Sequence, residues 1–177
     1  MRKVVAYELL SLDGVAERPE EFVTDFDDVM RDNLGRVIAD QDAVLLGRRT
    51  YDDWAGFWPT SDIEPFASFI NGVQKLVVTS TPPEQEWPKT KSVKDGLADF
   101  VVELKRQPGG DIGIHGSISL TKSLLEASLV DELRLVIAPA VHVHGRRLFD
   151  GGSPRRLSLT RSVTSPSGYL LLDYQLS

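Results

Sequence analysis

The sequence has no cysteine in its 177 residues, which excludes disulfides and any zinc site built on thiolates. A reducing compartment such as the cytoplasm fits that composition. Long apolar runs are also missing. Met1 to Tyr7 turns polar after a few apolar residues, so it reads as neither a signal peptide nor a membrane span. Basic charge is in deficit, with 20 Lys and Arg against 26 Asp and Glu for a net charge of −6, which argues against non-specific nucleic-acid binding. The pairs Arg48-Arg49, Arg146-Arg147 and Arg155-Arg156 are local exceptions that could hold a phosphate, though each alone reads as solvated surface. Histidine is scarce. His142 and His144 would share a face on a strand, but without a nearby third ligand no metal site is expected.

What remains is an ordinary globular balance, 41% hydrophobic and 26% charged, in a length that suits one domain over residues 1–177. The organising stretch is Gly110 to Leu120. Ile112 and Ile114 read as strand, Gly116 as a sharp turn, and Ser117 or Ser119 as the cap of a helix that continues to Ser128. Such a helix start aims unpaired N–H groups above the strand end, where an anion, pyrophosphate above all, is readily held. The two glycines Gly113 and Gly116 do not complete the three-glycine dinucleotide fingerprint, so a plain tight turn stays open. A second apolar run, Leu129 to Pro139, completes a strand–helix–strand crossover. The intervening helix is apolar over more than half its circumference, enough to cover the sheet and face another element or subunit.

The same strand–glycine–helix pattern occurs at Ala43 to Trp54, where Gly47, Arg48 and Thr50 place a guanidinium and a hydroxyl at a helix start. Val4 to Leu10 and Lys75 to Val78 read as further strands, the latter ending in the hydroxyl cluster Thr79-Ser80-Thr81. Helices are expected from Phe26 to Ile38, capped by Thr24 or Asp25, and from Leu97 to Leu104. Residues 16 to 24 and 84 to 94 read as loops, and Trp54, Phe57 and Trp58 as core or pocket wall. A terminal hairpin around Ser165 to Gly168 makes the architecture a mainly parallel α/β sheet with an antiparallel end.

An acid at the carboxyl end of a strand can face a ligand pocket and serve there as a proton donor. Asp13, at the carboxyl end of the first strand, is the first choice for the acid, with Leu12 and Val15 expected to raise its pKa if they bury it. Its other reading is an Asp-Gly turn. Asp27, on the margin of the first helix, is the runner-up, and Glu132 is third because it begins a strand.

Taken together, Ser11-Leu12-Asp13-Gly14, Leu46 to Tyr51, Val78 to Thr81, Gly113 to Ser117 and Leu129 to Leu133 resemble the dihydrofolate-reductase-like family. The branch they resemble is the reductase domain of the bifunctional deaminase-reductases of riboflavin biosynthesis. The resemblance implies a three-layer fold with helices on both sheet faces, and NADPH as cofactor. Gly47, Arg48 and Thr50 match the family's turn at the cofactor phosphates; Thr79, Ser80 and Thr81 match the adenosine end; Gly116, Ser117 and Ile118 match the turn under the pyrophosphate. The chain departs from the family at His115-Gly116, where two adjacent glycines are common, and at His142 to Arg146. It has neither the cysteines nor the length for the deaminase domain. The implied activity is NADPH-dependent reduction of a small heterocycle, as by 5-amino-6-(5-phosphoribosylamino)uracil reductase. Dihydrofolate reduction, or non-catalytic NADP(H) binding and sensing, are the alternatives. The resemblance, the wide apolar arc of the 117–128 helix and the apolar hairpin lead to the expectation of a homodimer.

Overall fold

The computed structural model describes residues 1–177. In chain order the elements are β1 (Val4–Leu10), α1 (Asp28–Ile38), β2 (Gln41–Gly47), α2 (Arg48–Ala55), α3 (Phe66–Gly72), β3 (Gln74–Val78) and β4 (Thr90–Val93). They continue with α4 (Leu97–Arg106), β5 (Asp111–His115), α5 (Ile118–Glu126), β6 (Glu132–Ile137), β7 (Leu157–Thr164) and β8 (Leu170–Leu176). All eight strands form one sheet in the order β4-β3-β2-β5-β1-β6-β8-β7. β1 to β6 pair in parallel, and β8 then β7 add antiparallel at the far edge. Parallel pairing brings the carboxyl ends of six strands to one rim.

The central strands are continuous apolar runs because both faces are covered. On one face Val4, Ala6, Leu45, Ile112, Ile114 and Leu133 pack with Leu104 of α4 and Leu124 of α5. On the other, Tyr7, Val44, Leu46 and Val77 pack with Met30 and Leu34 of α1, Tyr51 of α2 and Ile70 of α3. This is the three-layer architecture with an antiparallel hairpin that the sequence led us to expect. No helix is long and apolar enough to cross a membrane.

Several local expectations are corrected. Thr90–Val93, expected as loop, pairs with β3 as an edge strand. The helix Phe66–Gly72 was not foreseen at all. Residues 16 to 24 are not a simple exposed loop, since Ala16 and Phe22 are buried. The cap of α1 is Asp27, whose carboxylate accepts from the Met30 N–H, rather than Thr24 or Asp25. The apolar arc of α5 is used up within the chain, because Ile118, Leu120, Leu124 and Leu125 are all buried in its own core. The outer hairpin is different: β7 is an edge strand with Leu159 53% exposed.

Candidate functional site

At the rim, two helices start directly from adjacent parallel strands. β2 ends at Gly47 and α2 begins at Arg48. β5 ends at His115, and Gly116, at φ +65°, turns the chain into α5. A side chain at Gly116 would be strained in that conformation and would meet the Trp54 indole at 3.5 Å. Ser117 joins the two starts. Its Oγ accepts from the Gly47 N–H at 3.0 Å and donates to Thr50 Oγ1 at 3.1 Å. Ser117 therefore occupies the N-cap position of α5 without bonding its own helix, and Ser119 is engaged by Arg146 instead. Two sets of first-turn N–H groups thus converge on one place, with both positive helix ends facing it.

Arg48 spans the gap to the next strand. Its Nε is held by both oxygens of Asp52, at 2.9 and 2.8 Å. Its Nη1 donates to Thr79 Oγ1, Thr81 O, Thr81 Oγ1 and Pro82 O. The structure so brings Arg48 together with the Thr79-Ser80-Thr81 turn, while leaving Nη2 uncommitted. Ser80 is exposed and Ile118 is buried, so Ile118 offers the site its backbone alone. Beyond the turn an open groove of about 520 Å³ is lined by Tyr51, Pro83, Gln85, Trp87, Lys89 and Ser92, inside the roughly 300–1,000 Å³ range of small-molecule clefts. Trp54 and Trp58 are half-buried and packed edge-on against Phe66, while Phe57 is exposed.

The expected acid is not poised. Leu12 is 65% exposed and does not bury Asp13. The Asp13 carboxylate accepts from Ser11 Oγ, the His142 and Val143 N–H groups and Arg147 Nη2. The Ser11 hydroxyl first, then the His142 amide, hold its pKa well below the usual carboxylate range, so the raised pKa expected for a proton donor is corrected. Asp13 anchors the 139–148 loop over the end of β1, reinforced by the bridge between Val15 and Arg147. We predict that Asp13→Ala speeds amide exchange at His142 and Val143 by about tenfold or more, because hydrogen bonds to a charged acceptor are the strong ones. Unchanged exchange by NMR would remove Asp13 as the anchor.

Asp27 is likewise committed, to the Met30 and Ser167 N–H groups. Burial works against its ionisation, but those donors and the Ser165 hydroxyl outweigh it and bring the pKa to about 2. Glu132 lies at the opposite end of the sheet, paired with Lys3 and Arg134. His142 and His144 are not on a strand; His142 Nε2 meets Glu21 Oε2 at 2.9 Å and its ring packs on Phe22. No group of three or more His, Asp or Glu side chains is gathered to hold a metal.

Two buried groups escaped the sequence reading. His115 is enclosed by Tyr7, Phe66 and Phe69, and its Nε2 meets Gln41 Oε1 at 2.8 Å. Burial lowers its pKa to about 3. Glu8, in the middle of β1, is buried on the α5 side, and burial raises its pKa to about 7. Glu8 interrupts the apolar run Val4–Leu10 and His115 follows Ile112 and Ile114, a signal by which both could have been found.

The family model for the RibD C-terminal domain matches residues 2–171. The uncharacterized protein YyaP of Bacillus subtilis (strain 168) is 27% identical over 182 residues, covering 98% of this chain and 94% of that protein. YwjB of the same organism is 24% identical over 151 residues, covering 84% and 83%. Among solved structures, a Shewanella sp. PV-4 protein named for riboflavin biosynthesis superposes with a TM-score of 0.81 at 18% identity over 99% of each chain. A pyrimidine reductase-like protein from Corynebacterium diphtheriae gives 0.68 at 16% identity, over 99% of this chain and 92% of that one. The diaminohydroxyphosphoribosylaminopyrimidine deaminase/5-amino-6-(5-phosphoribosylamino)uracil reductase of Thermotoga maritima gives 0.71 at 14% identity, over 99% of this chain and 57% of that longer one. Matched by its model along residues 2–171 and folded as these proteins are, the chain belongs to the RibD C-terminal domain family.

Proposed function

We propose that this chain is a pyridine-nucleotide-dependent reductase of a small heterocyclic substrate, with NADPH as the preferred cofactor. The observation that carries the reading is the Ser117 link, which fixes two helix starts side by side at the ends of β2 and β5. That arrangement suits a diphosphate, whose negative oxygens need several N–H donors at once. Membership of the RibD C-terminal family supports the reductase reading. When bound, NADPH supplies the hydride.

The chain's own residues then have separable tasks. Gly116 keeps the approach to α5 clear, and the backbone of Ser117 and Ile118 receives the diphosphate. At α2 the first-turn N–H groups after Gly47 do the same, with the Thr50 hydroxyl hydrogen beside them, because the Gly47 N–H is already given to Ser117 Oγ. Arg48, held by Asp52, presents Nη2 beside the Thr79, Ser80 and Thr81 hydroxyls, where a further phosphate on the adenosine half would find a charge-assisted partner. Neither Asp13 nor Asp27 has a proton to give, so the proton comes from water. Dihydrofolate reduction is disfavoured, because Asp27 spends its carboxylate on capping α1 and on Ser167. The commitment of Asp13 to the 139–148 loop favours one second reading, a dinucleotide-binding protein without turnover.

Dissociation constants for NADPH and NADH, measured with the wild type and Arg48→Ala, test the reading. Wild type should prefer NADPH, and the variant should lose that preference by about ten- to a hundredfold, the worth of a hydrogen bond to a charged group. Equal NADPH affinity in the two proteins would remove Arg48 from the site. NADPH oxidation across a panel of pterins, pyrimidines and flavin precursors separates the reductase from the binding protein. We further propose a homodimer formed along the exposed β7 edge; light scattering should return twice the 19.6 kDa chain mass, and the single mass would count against it.

A further inference from the structure

Glu8 is the acid in this chain with a buried carboxyl oxygen that has no partner. It is 1% exposed and faces the α5 side of the sheet, between Ala6 and Leu10 on its own strand and beside Leu135 on β6. Its other oxygen accepts from Thr121 Oγ1, in the first turn of α5, at 2.9 Å. The last pair between β1 and β5 is Tyr7 with His115, so Glu8 stands level with Gly116, where the chain turns into α5. Thr121 is four residues from Ser117, or about 6 Å along the helix axis. A buried carboxyl thus sits directly behind the helix start proposed to receive a diphosphate.

We propose that Glu8 ties ligand binding at the α5 start to a proton: the site holds a dinucleotide's diphosphate while Glu8 is the neutral acid, and releases it when Glu8 ionises. The inference rests on the proposed reading of that site. A carboxylate behind the anion, in apolar surroundings, repels it with little screening, whereas the protonated acid does not. Coupling is reciprocal, so a bound diphosphate keeps Glu8 protonated and binding takes up a proton. The groups that face Glu8 are uncharged: Thr121 from α5, Leu135 from β6, and Ala6 and Leu10 from β1. Burial sets its pKa near 7, opposed by the Thr121 hydrogen bond alone, with no charged side chain contributing. The charges of the rim above, Asp13, Arg146 and Arg147, are engaged with one another's loops and with Ser119.

The test is NADPH affinity from pH 6 to 9 for the wild type, Glu8→Gln and Thr121→Val. Above pH 7.5 the ligand's own phosphate, with a second pKa near 6, is fully ionised. Wild-type affinity should then fall by up to about tenfold per pH unit. Glu8→Gln, which keeps the Thr121 hydrogen bond without the charge, should stay level. Thr121→Val removes a bond that favours the ionised form, so its break should move to higher pH. Calorimetry in two buffers of different ionisation enthalpy should find proton uptake near pH 8 in the wild type and none in Glu8→Gln. Parallel pH profiles in these two proteins, or no proton uptake by the wild type, would overturn the inference and leave the site reading standing. Failure of both proteins to bind NADPH or inorganic pyrophosphate at pH 6.5 would overturn the two together.

Discussion

Ser117→Asp is expected to weaken dinucleotide binding by roughly 200-fold while leaving the fold intact. Ser117 is buried between the two helix starts, and its Oγ already accepts from the Gly47 N–H. An aspartate there would keep that acceptor, and its charge would complement the positive end of α5, where Asp is among the preferred N-cap residues. Thermal stability should be unchanged or slightly raised. The ligand is affected in the opposite sense, because the site would carry its own anion. A carboxylate and a phosphate oxygen about 5 Å apart, at an effective dielectric of about 20, repel by about 3 kcal/mol, or roughly 200-fold in affinity. Ser117→Ala is the control. It loses the link to Gly47 and Thr50 but adds no charge, so it should weaken NADPH several-fold only. Titration of both variants by fluorescence or calorimetry decides the matter. A folded Ser117→Asp that binds NADPH within threefold of the wild type would show that no phosphate sits between α2 and α5.

How much of this was legible beforehand depended on the length of each signal. β1, β2, β3 and β5 are apolar runs bounded by glycine, proline or clustered hydroxyls, and α1 and α4 repeat their apolar positions over several turns, so a single sequence specifies them. β4 has only four residues, three of them Thr90, Lys91 and Ser92, and it exists because β3 offers an unpaired edge. α3 has seven residues, too few for periodicity to show; Phe66 and Ile70 form it by packing against the sheet and α1 rather than by propensity. At the rim, the meeting of Arg48 with the 79–81 turn, and of Gly47 and Thr50 with Ser117, followed from strand ends lying side by side in a parallel sheet. The acids were not legible in the same way. Whether Asp13 is a donor or an anchor depends on the 139–148 loop, more than a hundred residues away, whose amides reach its carboxylate. Asp27 depends similarly on Ser167 in the hairpin turn.

His115 illustrates the coupling between site and core. Gly113 lies beneath the contact between Gln41 and His115, and a Cβ there would stand 2.0 Å from Gln41 Oε1 and 3.0 Å from His115 Nε2. The imidazole therefore fills space that the neighbouring glycine leaves, and it packs the end of β5 against Tyr7, Phe66 and Phe69 immediately before the Gly116 turn. The precise start of α5, and hence the direction of its N–H groups, depends on that packed histidine.

The same buried groups govern how stability responds to pH, and their effects oppose each other. Burial holds the folded-state pKa of His115 at about 3, below its ordinary 6.5. Between those values the unfolded chain binds a proton that the native chain does not, so stability rises with pH. Burial moves Glu8 the other way, from 4.5 to about 7. Between those values the native chain holds a proton that the unfolded chain has lost. The Glu8 contribution is therefore complete below pH 4.5 and is lost as pH rises through 7. From about pH 4.5 to 6.5 the two slopes cancel, and the wild type should show a nearly flat stability plateau. Glu8→Gln removes one of them. In that variant stability should climb by about 1.4 kcal/mol per pH unit across the plateau. By pH 8 the wild type should have lost about 3 kcal/mol relative to its own difference from the variant at pH 4.5. At this chain length that corresponds to roughly 10 °C in Tm. Because the comparison is of slopes, the cost of seating a Gln amide beside Thr121 drops out. His115→Gln should give the mirror image, a stability that falls from pH 4.5 to 7. Urea denaturation of the three proteins at half-unit pH intervals makes the measurement, and parallel profiles for the wild type and Glu8→Gln would show that Glu8 stays ionised in the folded chain.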